Sequence, residues 1–334
     1  MWGRARREMT GAIAHAALCA LASVALSQPA LAAASSARAE PSGAKTSSSQ
    51  AAAPAYSEHG ADTCLLCHGS DAYVMAIFRT AHARPNDPRG PFGHGGLQCE
   101  ACHGPGGAHV KVYGARPEGL IQFGARSPTP VARQNAMCLA CHRTDAAAHA
   151  WSASAHAANG VACADCHQLH AERDPVLEVA TQVEVCGKCH QSERLAMWMP
   201  ERHPLREGKM ACTDCHAPHG STAPASLVKA TVVETCTSCH AEFRGPFLWE
   251  HQPVTEDCDL CHEPHGSAQP ALLRTPAPFL CQQCHQAQGH PSMPFTPQGL
   301  PGGAPSAFLL GGSCLNCHSQ VHGSNHPSGR ALMR

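Results

Sequence analysis

Ten times along the chain two cysteines stand two residues apart with a histidine directly after the second. The pairs are Cys64 and Cys67, Cys99 and Cys102, Cys138 and Cys141, Cys163 and Cys166, Cys186 and Cys189, Cys212 and Cys215, Cys236 and Cys239, Cys258 and Cys261, Cys281 and Cys284, and Cys314 and Cys317. The adjoining histidines are His68, His103, His142, His167, His190, His216, His240, His262, His285 and His318. C-x-x-C-H is the attachment signature of haem c. Two thiols at this spacing reach the two vinyl groups along one porphyrin edge, and the next residue sets its imidazole on the iron from one face. Zinc ribbons and disulfide frameworks also use paired cysteines, yet neither needs a histidine after every second one. Histidine fills 25 of 334 positions, about one in thirteen, so its presence at every motif is not an accident of composition. The chain has 21 cysteines, and the one outside the motifs, Cys19, sits in an N-terminal apolar run. No thiol is left for a structural disulfide.

An iron held by one histidine accepts a second axial ligand, and the remaining histidines are ordered as if to supply it. Each successive pair of motifs carries one His between its members and another soon after the second. These are His82 and His109, His156 and His170, His203 and His219, His251 and His265, and His290 and His322. In "CTDCHAPHG", Cys212 to Gly220, His216 takes the iron of its own motif, and His219, three residues on, stays on the same side of that porphyrin. His219 must therefore cap a different haem, and the same holds for His170, His265 and His322. Cross-ligation of this kind draws neighbouring haems together. His59, His94, His149 and His326 are spare and read as solvated or hydrogen-bonded rings, although His94 competes with His82 by position. Met75, Met137, Met197, Met199, Met210 and Met293 read as packing residues.

The elements that position these ligands are predicted to be slight. Only 4% of residues are aromatic, while 29 Gly and 27 Pro interrupt regular structure. With about thirty residues per haem, porphyrin must supply most of the buried apolar surface. "VEVCGKCH" and "VETCTSCH" read as short helices, and "HAPHGSTAP" and "GHPSMPFTPQGLPGGAP" as loops. Strand alternation is almost absent. The expected fold is a multihaem cytochrome c, mostly loops with short α-helices packed around an extended chain of ten haems, with almost no β-sheet. "LEVATQVEVCGKCH" (Leu177 to His190) repeats as "LVKATVVETCTSCH" (Leu227 to His240), a two-haem period of about fifty residues.

Arg4, Arg6 and Arg7 precede the run "GAIAHAALCALASVAL", and Ala30 and Ala32 suit a signal peptidase, so residues 1–32 read as a cleaved secretion signal. Residues 33–58 form a flexible Ala-, Ser- and Pro-rich leader. Haems 1–5 then fall on 59–190 and haems 6–10 on 191–334, within one continuous decahaem domain. The formal net charge of -1 carries no basic footprint for nucleic acid.

Across about Gly60 to Arg334 the chain resembles the periplasmic decahaem cytochromes of outer-membrane porin-cytochrome conduits, the MtrA/PioA/DmsE family. The likeness rests on the ten motifs, "CEACHGPGGAH" at Cys99, "CADCHQLH" at Cys163 and the two "PHG" repeats. It implies bis-histidine haems threaded into an outer-membrane β-barrel porin. Electrons would pass between the periplasm and the cell exterior, in metal reduction or Fe(II) oxidation. The expected partners are the porin, a periplasmic or inner-membrane cytochrome and an outer-surface multihaem cytochrome. Two other functions stay open at this level: a soluble periplasmic shuttle serving a terminal reductase, and a multihaem reductase of nitrogen or sulfur oxyanions. The second needs an open or lysine-bound iron, and no C-x-x-C-K occurs.

Overall fold

The computed structural model describes residues 55–112, 119–285 and 314–334. His290, the expected signal and most of the leader lie outside them. Among the described residues, each Cys pair has at least one member in a short helix or 3-10 turn. Helices cover Ala61–His68, Glu100–His103, Val131–His142, Cys163–Cys166, Val179–Cys186, Val232–Cys236 and Ala277–Gln282, and 3-10 turns cover Cys212–Asp214, Cys258–Leu260 and Cys314–Asn316. The longest helix among the described residues has 12 residues. Among the described residues, extended segments make only isolated bridges, such as His216 with Leu227 and His262 with Leu273. The expected fold of short helices and loops without a sheet is the one observed.

Helical geometry at the motif has a purpose. A single turn brings residues three and four apart onto one face, so both thiols and the following imidazole address one porphyrin edge. The backbone N–H of His216 donates to the Cys212 carbonyl at 3.0 Å, and His262 repeats this on Cys258 at 3.0 Å. Pro and Gly then end the turn before it lengthens.

Apolar packing between side chains is sparse. Val183, Met197 and Leu205 form the buried cluster, with Met210 and Cys212 packed against it. This cluster joins residues on both sides of position 190. Met197 and Met210 thus pack as expected from their type. Buried amides link motifs instead: Asn135 accepts from the Cys163 N–H at 2.8 Å and donates to the Val161 carbonyl at 3.2 Å. Gln182 accepts from the Thr213 N–H at 2.9 Å and donates to the Val176 carbonyl at 2.9 Å. Gln98 accepts from the Ala61 N–H. The bonds of Asn135 to Cys163, Gln182 to Thr213 and Gln98 to Ala61 each fasten one motif to its neighbour, and a buried amide left unpaired would cost about 1–3 kcal/mol.

Candidate haem ladder

Sites are numbered 1 to 10 in the order of their motifs. At nine of them the proximal imidazole faces one of the ten second histidines. The ring centres of His68 and His109 are 6.5 Å apart, His103 and His170 6.3 Å, and His142 and His82 6.1 Å. His167 and His219 stand at 5.9 Å, His190 and His156 at 6.1 Å, and His216 and His265 at 6.0 Å. His240 and His203 are at 6.2 Å, His262 and His322 at 6.1 Å, and His285 and His251 at 6.0 Å. A metal-bound imidazole nitrogen lies about 2 Å from the ion. The ring centre is roughly 1 Å further back, so two rings trans on one iron have centres about 6 Å apart. The observed spacings fit an iron between the rings.

The pairing has a rule. At sites 2, 4, 6 and 8 the second ring comes from just after the motif two places further on: His170, His219, His265 and His322. At sites 3, 5, 7 and 9 it comes from before the preceding motif: His82, His156, His203 and His251. Site 1 departs from this rule, because His109, which follows motif 2, turns back onto His68. The ring opposite His142 is His82 and not His94.

Several of these rings, and His318 of site 10, are oriented through their second nitrogen. Nδ1 of His103, His216, His262 and His318 lies 2.9, 2.9, 2.8 and 2.7 Å from the carbonyls of Ile121, Ala225, Ala271 and Ala331. Among the second rings, Nδ1 of His156, His203 and His251 lies 2.9, 2.8 and 2.9 Å from the carbonyls of Pro218, Pro264 and Val321. Such bonds fix the tautomer with the proton on Nδ1 and leave the Nε2 lone pair for the metal. Burial, reinforced by a facing ring, lowers the pKa of His82, His219, His265 and His322. Burial likewise lowers His103. The form kept is the neutral one, which ligates.

The stretch "HAPHG" now reads residue by residue. His216 belongs to site 6, the Pro218 carbonyl holds His156 of site 5, and His219 reaches site 4. Gly220 has φ +122, and a Cβ there would lie 2.6 Å from the Ala150 carbonyl oxygen. Five residues therefore serve three sites. "HEPHG" does the same for sites 8, 7 and 6, where a Cβ on Gly266 would overlap the Ala196 carbonyl. After each of these stretches the chain passes through two consecutive left-handed residues, Ala225 (φ 50) and Ser226 (φ 53), then Ala271 (φ 55) and Leu272 (φ 59). Left-handed backbone costs non-glycine residues about 1–2 kcal/mol each. Here it delivers the Ala225 and Ala271 carbonyls to the proximal rings.

Neighbouring motifs meet cysteine to cysteine, in sequence order. The first thiols adjoin at Cys64 and Cys99, Cys138 and Cys163, Cys186 and Cys212, Cys236 and Cys258, and Cys281 and Cys314. Between these pairs the second thiols approach: Cys102 and Cys141, Cys166 and Cys189, Cys215 and Cys239, and Cys261 and Cys284. Burial is the main cause that pushes the thiols of Cys102, Cys166, Cys215 and Cys261 up. One continuous space of about 4520 Å³ runs past motifs 2 to 10. An ordinary single-ligand pocket measures about 300–1,000 Å³, so this one is sized for a row of cofactors.

Comparison with known proteins agrees with this geometry. The chain is 50% identical over 281 residues, 84% of its length and 83% of the relative's, to the multihaem cytochrome MtrA of Shewanella baltica. The chain belongs to the MtrA family of multihaem cytochromes. Its cofactor is therefore haem c, and its chemistry is electron transfer. Residues 99–182 match a family model for cytochrome c-type protein NrfB-like chains, and residues 203–245 and 251–290 match the doubled CXXCH motif. The cytochrome c-type proteins NrfB of Escherichia coli and Haemophilus influenzae are 28% and 30% identical over 135 and 125 residues. These stretches cover 39% and 35% of the chain, and 65% and 54% of the relatives.

Several contributors were not visible in the sequence reading. Asn135, Gln182 and the carbonyl acceptors carry no motif. One signal was available for Gln182: it stands where the otherwise similar repeat has Val232.

Proposed function

We propose that this protein carries electrons between the periplasm and the cell exterior along ten haems held inside an outer-membrane porin. The facing of proximal and second rings at nine sites supports this reading above all. An iron bound by two imidazoles has no coordination position left for a substrate and suits outer-sphere electron transfer. The haems, when bound, supply the one-electron centres. The chain supplies their spacing, axial ligands, hydrogen bonds and shielding from water. His290 completes the ligand set by sequence, as the remaining candidate for the haem at Cys314 and Cys317.

The hydrocarbon core is about 30 Å thick, too far for a single hop between a donor and an acceptor on opposite sides. Among the described residues no helix is long and apolar enough to cross a membrane. The loops carry backbone groups that lipid could not satisfy. A porin sheath removes that cost, and likeness to MtrA agrees with such a partner and with residence at the outer membrane. Periplasmic cytochromes would feed or drain the inner end.

Two measurements test the proposal. Intact mass of the exported protein is expected to correspond to ten haems; eight or fewer in a host with working haem attachment would refute the count. Liposomes holding a reduced dye, with an external acceptor, are expected to transfer electrons only when protein and porin are reconstituted together. Equal rates with and without the porin would favour the periplasmic shuttle.

A further inference from the structure

Sites 4 and 6 open alike and hold their proximal rings through different acceptors. Both begin with a motif of the form C-x-D-C-H, "CADCH" and "CTDCH". In each the aspartate accepts from the residue before the first cysteine, Asp165 from the Ala162 N–H and Asp214 from the Ala211 N–H, both at 2.8 Å. That negative charge is common to the two sites. Each proximal ring is then held from a following segment, "RDPVLE" after site 4 and "TAPASL" after site 6. At site 6 the partner of His216 Nδ1 is the Ala225 carbonyl. At site 4 the partner of His167 Nδ1 is the carboxylate of Asp174, at 2.7 Å.

The other even-numbered sites follow site 6, with carbonyls of Ile121, Ala271 and Ala331 on His103, His262 and His318. Among odd-numbered sites, Asp145 lies 2.5 Å from His142 Nδ1, but its side chain is 55% exposed. Glu193 and Glu242 lie 3.9 and 3.7 Å from His190 and His240, beyond a hydrogen bond. Asp174 is only 14% exposed. Its second oxygen also accepts from the Gln168 and Val176 N–H groups at 3.2 and 3.4 Å, so the carboxylate is fixed in place.

A carboxylate accepting the Nδ1 proton makes the imidazole a stronger donor to the metal than a neutral carbonyl does. That favours the oxidised iron, and the preference is least screened where water is excluded. We propose that Asp174 is a positioning residue for His167 that makes the haem at Cys163 and Cys166 more reducing than its counterpart at Cys212 and Cys215. Asp174 thereby sets a step in potential within the first half of the ladder. The inference rests on the bis-histidine reading above.

The test is a spectroscopic redox titration of the full haem-loaded protein, with wild type, Asp174→Asn and Asp174→Glu. Site 4 is identified as the centre altered by His219→Met and site 6 as the centre altered by His265→Met. In wild type, site 4 is expected to titrate below site 6. Asp174→Asn should raise one centre by a factor of about ten in its reduction equilibrium, about 59 mV for one electron. Asp174→Glu, which keeps the charge, should return that centre towards its original value. An upward shift that Glu does not reverse would assign the effect to geometry and overturn the proposal, as would an unshifted Asn variant. If Asp174→Asn fails to mature, the wild-type order decides: site 4 at or above site 6 overturns it. A His219→Met change that appears at the Cys212 haem would instead refute the ligation reading itself.

Discussion

The first site and the interior sites solve the same problem with different amounts of chain. In the interior, the second ring arrives from a neighbouring pair of motifs, and carbonyls of yet another segment orient it, as Pro218 does for His156. At site 1 both rings come from the first pair of motifs, 6.5 Å apart, and Nδ1 of His109 is buried without a hydrogen-bond partner among the described residues. The difference teaches that rigidity in this protein is a property of the interlacing and not of the single motif. A motif by itself is one helical turn. It becomes a fixed site only when stretches such as "HAPHG" and "HEPHG" tie three sites together.

Removing a haem should expose this contrast most strongly. Replacing Cys258 and Cys261 by Ala is expected to delete one haem from the intact mass and to change the spectra of sites 6 and 7 as well. His265 and the Pro264 carbonyl belong to the loop that haem 8 anchors. Replacing Cys64 and Cys67 should delete one haem and leave the interior spectra as they were. Equal spread from both changes would break the comparison.

Ligand exchange sharpens it at lower cost. His219→Met is expected to raise the potential of the haem at Cys163, because thioether replaces imidazole, while His109→Met should act at Cys64. Site-resolved spectroscopy checks both assignments. A small exogenous ligand such as cyanide or imidazole should displace His109 before any interior ring, with a stoichiometry of one per chain. Simultaneous exchange at several haems would show that site 1 is held as firmly as the rest.

Smaller effects are expected from the backbone. Gly220→Ala brings a Cβ against the Ala150 carbonyl at an unfavourable φ, and overpacking of this kind costs about 1–3 kcal/mol. A thermal melt of the holoprotein should show it. Gly95, between the first two motifs, also has positive φ, but its Cβ would meet nothing within 4 Å. Its substitution is expected to cost less. The smallest change is predicted for Asp145→Asn, whose hydrogen bond with His142 is exposed on both sides. Exposed pairs contribute about 0–1 kcal/mol, and the redox titration should move little.

How far the sequence could be read follows from distance along the chain. Thiols and proximal rings are contiguous, so "CTDCH" states the attachment chemistry by itself. The nine histidines that face proximal rings could be picked out beforehand because each falls at a regular place relative to the motifs. The destination of His219 was legible only as a negative: three residues of chain after His216 do not carry a ring around a porphyrin. That it faces His167 depends on the path of the loop past Ala150, where Gly220 permits a close approach. Short helices were foreseeable from motif turns and the shortage of apolar residues. Asn135 and Gln182 were not, because a buried polar residue acts through whatever it meets, and Cys163 and Thr213 lie 28 and 31 positions away; Asp174 lies only 7 positions from His167, but no motif marks it.

The direction of the interlacing has a consequence for assembly. At sites 3, 5, 7 and 9 the second histidine precedes its motif, whereas at sites 2, 4, 6 and 8 it follows by about fifty residues or more. A chain emerging from its N-terminus therefore delivers sites 3, 5, 7 and 9 complete. Sites 2, 4, 6 and 8 must each wait for the next pair of motifs to appear. Maturation in that order would work as a zipper, in which each interior pair of motifs closes an older site and opens a new one.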